Sequence, residues 1–120
     1  MTRSTSMKEV MSQMVFIVIQ ASYPDTPKMT RLVAQKYLEV MRKYPPESLA
    51  KSVFGPILKA VKEGVHVITA YECRDDKIKD SLMAIAKAQL MMGEIEGYRY
   101  WIDLYIDATE AFTIIEMKGP

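Results

Sequence analysis

The single histidine and the single cysteine of this chain fall in one β-rich run, Gly64-Val65-His66-Val67-Ile68-Thr69-Ala70-Tyr71-Glu72-Cys73. Side chains alternate along a strand, so Val65, Val67, Thr69, Tyr71 and Cys73 point one way and His66, Ile68, Ala70 and Glu72 the other. A titratable imidazole therefore shares a face with a carboxylate. An imidazole beside Glu72, or beside Asp103 of a later strand, has the makings of a general base, which makes His66, Asp103 and Glu72 the candidate catalytic residues. With no motif around it, the same histidine also fits a half-exposed position near a turn. The two carboxylates could divide into an acid and a base if burial separated their pKa values, or could end in water or beside Arg99. Trp101 and Tyr105, together with Phe16 and Gln20, form a set able to stack on and orient a flat ligand. Aromatic side chains on a sheet face serve equally well to fill a core or an interface.

Other chemistries have less to stand on. His66 and Cys73 lie on opposite strand faces and no ligand pair has short metal-site spacing, so no metal centre is expected. Cys73 has neither a helix start nor a histidine on its own face and reads as a passive thiol. No glycine loop suited to cradling a phosphate is present, and no cofactor is implied. Sixteen basic and fifteen acidic residues leave a net charge of +1, with Lys36, Arg42, Lys43, Lys59 and Lys62 scattered among acidic neighbours. That balance provides no field for nucleic acid or an anionic membrane. The longest apolar runs, such as Met14 to Ile19, are far short of the roughly 20 residues of a spanning helix, and Met1 to Gln13 lacks the apolar core of a secretory signal. One cysteine among 120 residues forms no internal disulfide, and a reducing cytoplasm is the expected compartment. The ten methionines suit core gaps or a contact surface.

Residues 1–12 are polar and read as a flexible leader, with residues 13–120 as one domain. Met14 to Ala21 is β-branched and aromatic, a first strand. Thr26 caps a helix that starts at Pro27, and Met29, Leu32, Val33, Lys36, Tyr37, Val40, Met41 and Tyr44 set its apolar stripe before Pro45-Pro46. Between Glu47 and Glu63, apolar residues recur every four positions as in a helix, yet Gly55-Pro56 interrupts them. An interior proline costs a helix about 3 kcal/mol, so two short pieces are expected, with Ile57–Val61 turning through Gly64 into the His66 strand. An aspartate of Arg74-Asp75-Asp76 is placed to cap a second helix, whose inward positions are Ile78, Leu82, Ile85, Ala86, Gln89 and Leu90. Tyr98 to Ile106 alternates as a last strand, with Arg99, Trp101, Asp103 and Tyr105 on one face. Asp107-Ala108-Thr109-Glu110 fits the start of a short closing helix.

This βαββαβ order is that of the ferredoxin-like α+β fold, an antiparallel sheet with both helices on one face. The other face then carries Phe16, Val18, Gln20, Trp101, Asp103 and Tyr105, too apolar for water. Two such sheets meeting face to face in a homodimer would cover it and enclose a cavity. In the strand patterns Val65 to Glu72 and Tyr100 to Ile106 the chain resembles the dimeric α+β barrel group. That group includes cofactor-independent monooxygenases, muconolactone-isomerase-type enzymes and stress-responsive barrel proteins. The resemblance lies in element order from about Met14 to Met117 and implies a small-ligand cavity; no catalytic residue transfers with it.

The resulting expectation is a homodimer whose inter-sheet cavity binds a small, partly apolar molecule. As an enzyme it would be a cofactor-independent isomerase or oxygenase in which His66 or Asp103 takes a proton while Trp101 and Tyr105 clamp the substrate. The alternative is a non-catalytic dimerisation module with a filled interface and no ligand pocket.

Overall fold

The computed structural model describes residues 14–41 and 44–107. The leader and the closing helix expected beyond Asp107 lie outside them. Four strands, β1 (Met14–Tyr23), β2 (Lys51–Val61), β3 (Gly64–Arg74) and β4 (Arg99–Ile106), form one antiparallel sheet in the order β2-β3-β1-β4. Helix α1 (Pro27–Met41) joins β1 to β2, and α2 (Ile78–Met92) joins β3 to β4. The architecture is α+β.

β1 lies in the centre of the sheet, and its burial alternates residue by residue. Val15, Ile17, Ile19, Ala21 and Tyr23 face the helices and are buried. Ile17 packs with Tyr71, Cys73 and Ile85 at one end of the core, while Tyr23 joins Val33, Val40, Ala88 and Met92 at the other. Burying an Ile or Val side chain this completely contributes about 1.5–3 kcal/mol, so the β1–helix contact is the main stabilising layer.

The Thr26 hydroxyl accepts a hydrogen bond from the Met29 amide at 3.1 Å, and Pro27 occupies the first helical position, as its missing N–H allows. α2 starts differently from the expectation. A 3-10 turn, Asp75–Lys77, precedes it, and Lys77 stands at the N-cap with no side-chain capping hydrogen bond, so neither aspartate caps the helix. Its buried arc runs through Ser81, Ala84, Ile85, Ala88 and Met92. Leu90, two residues from both Ala88 and Met92, is turned about 200° away from that arc at 3.6 residues per turn, and is 64% exposed rather than inward. Leu32 is likewise exposed, at the margin of the α1 arc centred on Val33 and Val40. The loop before β2 is fastened to α2 by Ser81 Oγ donating to the Leu49 carbonyl and Lys77 Nζ donating to that of Ser48, each at 2.9 Å.

Residues 51–61 form one edge strand rather than a five-residue piece. From Ser52 to Phe54, β2 advances two residues while β3 advances one, and from Phe54 to Ile57 three against two. Each slip is a bulge. An edge strand with bulges tolerates Pro56, which a central strand or a helix interior would not. The turn into β3 depends on Gly64, where φ is +147° and a Cβ would lie 2.3 Å from the Tyr23 carbonyl oxygen. Among the described residues no helix is long and apolar enough to cross a membrane.

Candidate functional site

Pairing across the sheet arranges the face opposite the helices in four rows. Reading from β2 to β4, these are Lys51-Glu72-Phe16-Tyr105, Phe54-Ala70-Val18-Asp103, Ile57-Ile68-Gln20-Trp101 and Lys59-His66-Ser22-Arg99. Every site residue expected from sequence is on this face. Neither helix covers it, and Ile57, Trp101 and Tyr105 are 53%, 41% and 51% exposed. The two middle rows are mostly apolar; charge gathers at the ends, with Lys59 and Arg99 flanking His66 and Ser22 at one and Glu72 and Lys51 at the other.

Three of the expected residues come together. His66 Nε2 lies 3.0 Å from Gln20 Oε1, and the imidazole and Trp101 ring centroids are 5.8 Å apart with a 48° tilt. An amide oxygen only accepts, so this contact selects the Nε2–H tautomer and leaves Nδ1 as the basic atom. A cleft of about 490 Å³ opens at this end of the face, with Ser22, His66, Arg99 and Trp101 among its walls. The aromatic ring, the basic nitrogen and the guanidinium can together hold a flat molecule by one face and one polar edge.

Glu72 and Asp103 are not beside the imidazole; the carboxylate that shares its cleft is Glu63. Glu72 is six residues along β3 from His66, about 20 Å at strand rise, and Asp103 is two rows and two strands away, roughly 16 Å. The shared face follows from strand phase, whereas the register sets the His66 imidazole apart from Glu72 and Asp103 of the same chain. Phe16 and Tyr105 sit in the Glu72 row, far from the cleft. Cys73 is buried, and burial pushes its thiol pKa up, opposed by a hydrogen bond with Ser81 and reinforced by Asp75 and Asp76. A thiol held protonated is a poor nucleophile. No group of three or more potential metal ligands occurs among the described residues.

The helix side holds a second feature that strand patterns did not reveal. A cavity of about 220 Å³ lies between α1 and the sheet, floored by the buried Ile19, Ala21, Val33, Thr69 and Met92. Its exposed lining residues, Thr30, Ala34 and Leu58, mark the mouth toward β2. Tyr98 donates its hydroxyl to Gln89 Oε1 at 3.1 Å in the wall, and Tyr23 and Tyr37 also line it. Burial raises the pKa of all three tyrosines, that of Tyr98 to about 12, with Tyr23, Tyr100 and Tyr37 adding to the shift. The available sequence signal was a set of inward tyrosines opposite small residues, Ala21 and Ala34. Spacing alone does not say whether such a set closes up or leaves a void.

No protein-family model matches the chain, and no curated protein is recognisably similar to it. Similar solved structures include the de novo designed protein Foldit4, 14% identical, covering 79% of this chain and 99% of that one with a TM-score of 0.52. Another is a domain of unknown function, DUF77, from Bacillus cereus, 18% identical, covering 82% of this chain and 81% of that one with a TM-score of 0.41. At such identities a likeness concerns the fold alone, and the second is too distant to carry an argument. A designed protein with a similar fold speaks to how well the architecture folds and is silent on activity.

Proposed function

We propose that this protein binds a small, planar, partly apolar molecule on the open face of its sheet, in a cavity that a second copy of the chain closes. The observation that carries the reading is the Gln20-His66-Trp101 cluster beside a cleft on an apolar face that neither helix covers. The element order and the β2-β3-β1-β4 sheet fit a ferredoxin-like fold, and a face-to-face pair would make a dimeric α+β barrel. Four strands by eight residues offer roughly 500 Å² per copy, near 1,000 Å² in total, the lower limit for a specific interface.

Charge favours one orientation. With strands of the two copies running in opposite directions, His66 of one copy lies over Glu72 of the other, and Arg99 approaches Asp103. Lys59 meets Lys51 only at the solvent edge, where like charges are screened. Glu72 of the second copy then stands by His66, and Nδ1 is the atom we assign to proton abstraction in a cofactor-independent isomerase or oxygenase reaction.

Native mass spectrometry of freshly purified protein tests this. A dimer carrying a reproducible extra mass that disappears in Trp101→Ala is expected, and Ile68→Lys, which puts a charge between Ile57 and Gln20 in a row with no carboxylate, should leave monomers. A wild-type monomer would overturn the closed face. A bare dimer would favour a dimerisation module without a ligand, a reading supported by the apolar middle rows of Phe54, Ala70, Val18, Ile57 and Ile68.

A further inference from the structure

We infer that the cavity between α1 and the sheet is a second binding site, one that takes a small, neutral, planar molecule with one or two hydrogen-bonding groups. It is independent of the open face and of any dimer, because β1, β2, β3, α1, α2 and Tyr98 in the turn before β4 of a single chain build all of it. Size is the first argument. An apolar cavity of about 150 Å³ stays dry and admits benzene, so 220 Å³ with an open mouth admits a bicyclic aromatic.

Chemistry of the walls is the second. Not one Asp, Glu, Lys, Arg or His lines the cavity, which leaves no counter-charge for an ion brought out of water. Its polar groups are neutral: the hydroxyls of Tyr23, Thr30, Tyr37 and Thr69, and the Gln89–Tyr98 pair. Since the Gln89 oxygen accepts from Tyr98, the Gln89 amide nitrogen is the donor left for a ligand, and the Tyr98 oxygen can still accept. The phenols of Tyr37 and Tyr98, both with raised pKa values, stay protonated at neutral pH and keep the walls uncharged. The third argument is shape. The β2 bulge places Pro56 at the cavity beside Leu58, while α1 approaches from the other side with Val33 and Ala34, so two apolar walls face each other across a slot.

Amide chemical shifts of the nitrogen-15-labelled full chain, titrated with 2-naphthol and separately with 2-naphthoate, test the inference. Saturable shifts at Val33, Val67 and Tyr98 are expected with 2-naphthol, and binding of the carboxylate weaker by about tenfold or more. Ala34→Phe at the exposed mouth should abolish those shifts and Ala34→Ser should keep them; Leu58→Phe, across the mouth, repeats the block should the first variant fold poorly. Trp101→Ala should leave the 2-naphthol shifts at Val33, Val67 and Tyr98 unchanged, so this site and the open face can fail separately. Shifts confined to His66 and Trp101, an absence of saturable shifts at the cavity, naphthoate binding at the cavity as tight as naphthol, or a cavity response to naphthol untouched by both mouth variants would each overturn it.

Discussion

Along β1, neighbouring residues serve two surfaces with different physics. Val15, Ile17, Ile19, Ala21 and Tyr23 are buried beneath the helices, while Phe16, Val18, Gln20 and Ser22 between them are half-covered. The helix side excludes charge: its polar groups are phenols, hydroxyls and an amide, and burial keeps the phenols protonated. The open side admits charge at both ends of the strands and keeps an apolar middle. An enclosed surface selects neutral groups because an unpaired ion there would cost several kcal/mol, whereas an exposed one can hold ions ready for a partner. One strand thus borders an uncharged cavity on one side and an apolar face with charged ends on the other.

The largest test of that contrast is a pair of adjacent truncations. Ile17→Ala should lower unfolding free energy by about 2–5 kcal/mol, and Val18→Ala in the isolated monomer by less than about 1 kcal/mol. Urea denaturation of both variants measures the difference. Equal losses would mean that the two faces are alike in packing.

Alkaline pH sharpens the contrast next. The Tyr98 phenol titrates near pH 10 in the unfolded chain and is pushed up to about 12 in the folded one, so between those values the folded state holds the extra proton. Its stabilising contribution is complete below pH 10 and is lost as pH rises toward 12. Tyr98→Phe should flatten the decline in stability over that interval. An undiminished slope would show that the helix-side cavity does not govern alkaline unfolding.

The smallest effect concerns the open face. Gln20→Leu removes the contact with His66 and should cost the monomer about 0.5–1.5 kcal/mol, the net worth of one hydrogen bond. Histidine NMR should show the Nε2–H tautomer preference weakened in the same variant. A preference that persists without Gln20 would remove the amide as the group that orients the imidazole.

Much of the architecture was legible from residue types. Thr26-Pro27 marked the start of α1, alternation assigned the residues of β1, β3 and β4 to their faces, and Gly64 marked the hairpin turn. Other elements depended on neighbours. Pro56 argued for a short strand, but β2 is an edge with bulges, and an edge needs no N–H at every position. Leu32 and Leu90 fit helical spacing yet lie outside the arcs that meet the sheet, since spacing gives a stripe and packing decides how wide it is.

The candidate site divides in the same way. Strand period placed His66, Glu72, Gln20, Phe16, Trp101, Asp103 and Tyr105 on one face, because side-chain direction in a strand is a local property of the backbone. Pairing register, which depends on contacts between distant segments, set Gln20 and Trp101 beside His66 and carried Glu72 and Asp103 far from it. The helix-side cavity is further still from local rules: its size follows from how closely α1 and α2 settle on the sheet, a balance of packing among residues from five elements and the turn before β4. Residue order alone settled which side chains share a surface; tertiary packing decided which of them touch and where space is left between them.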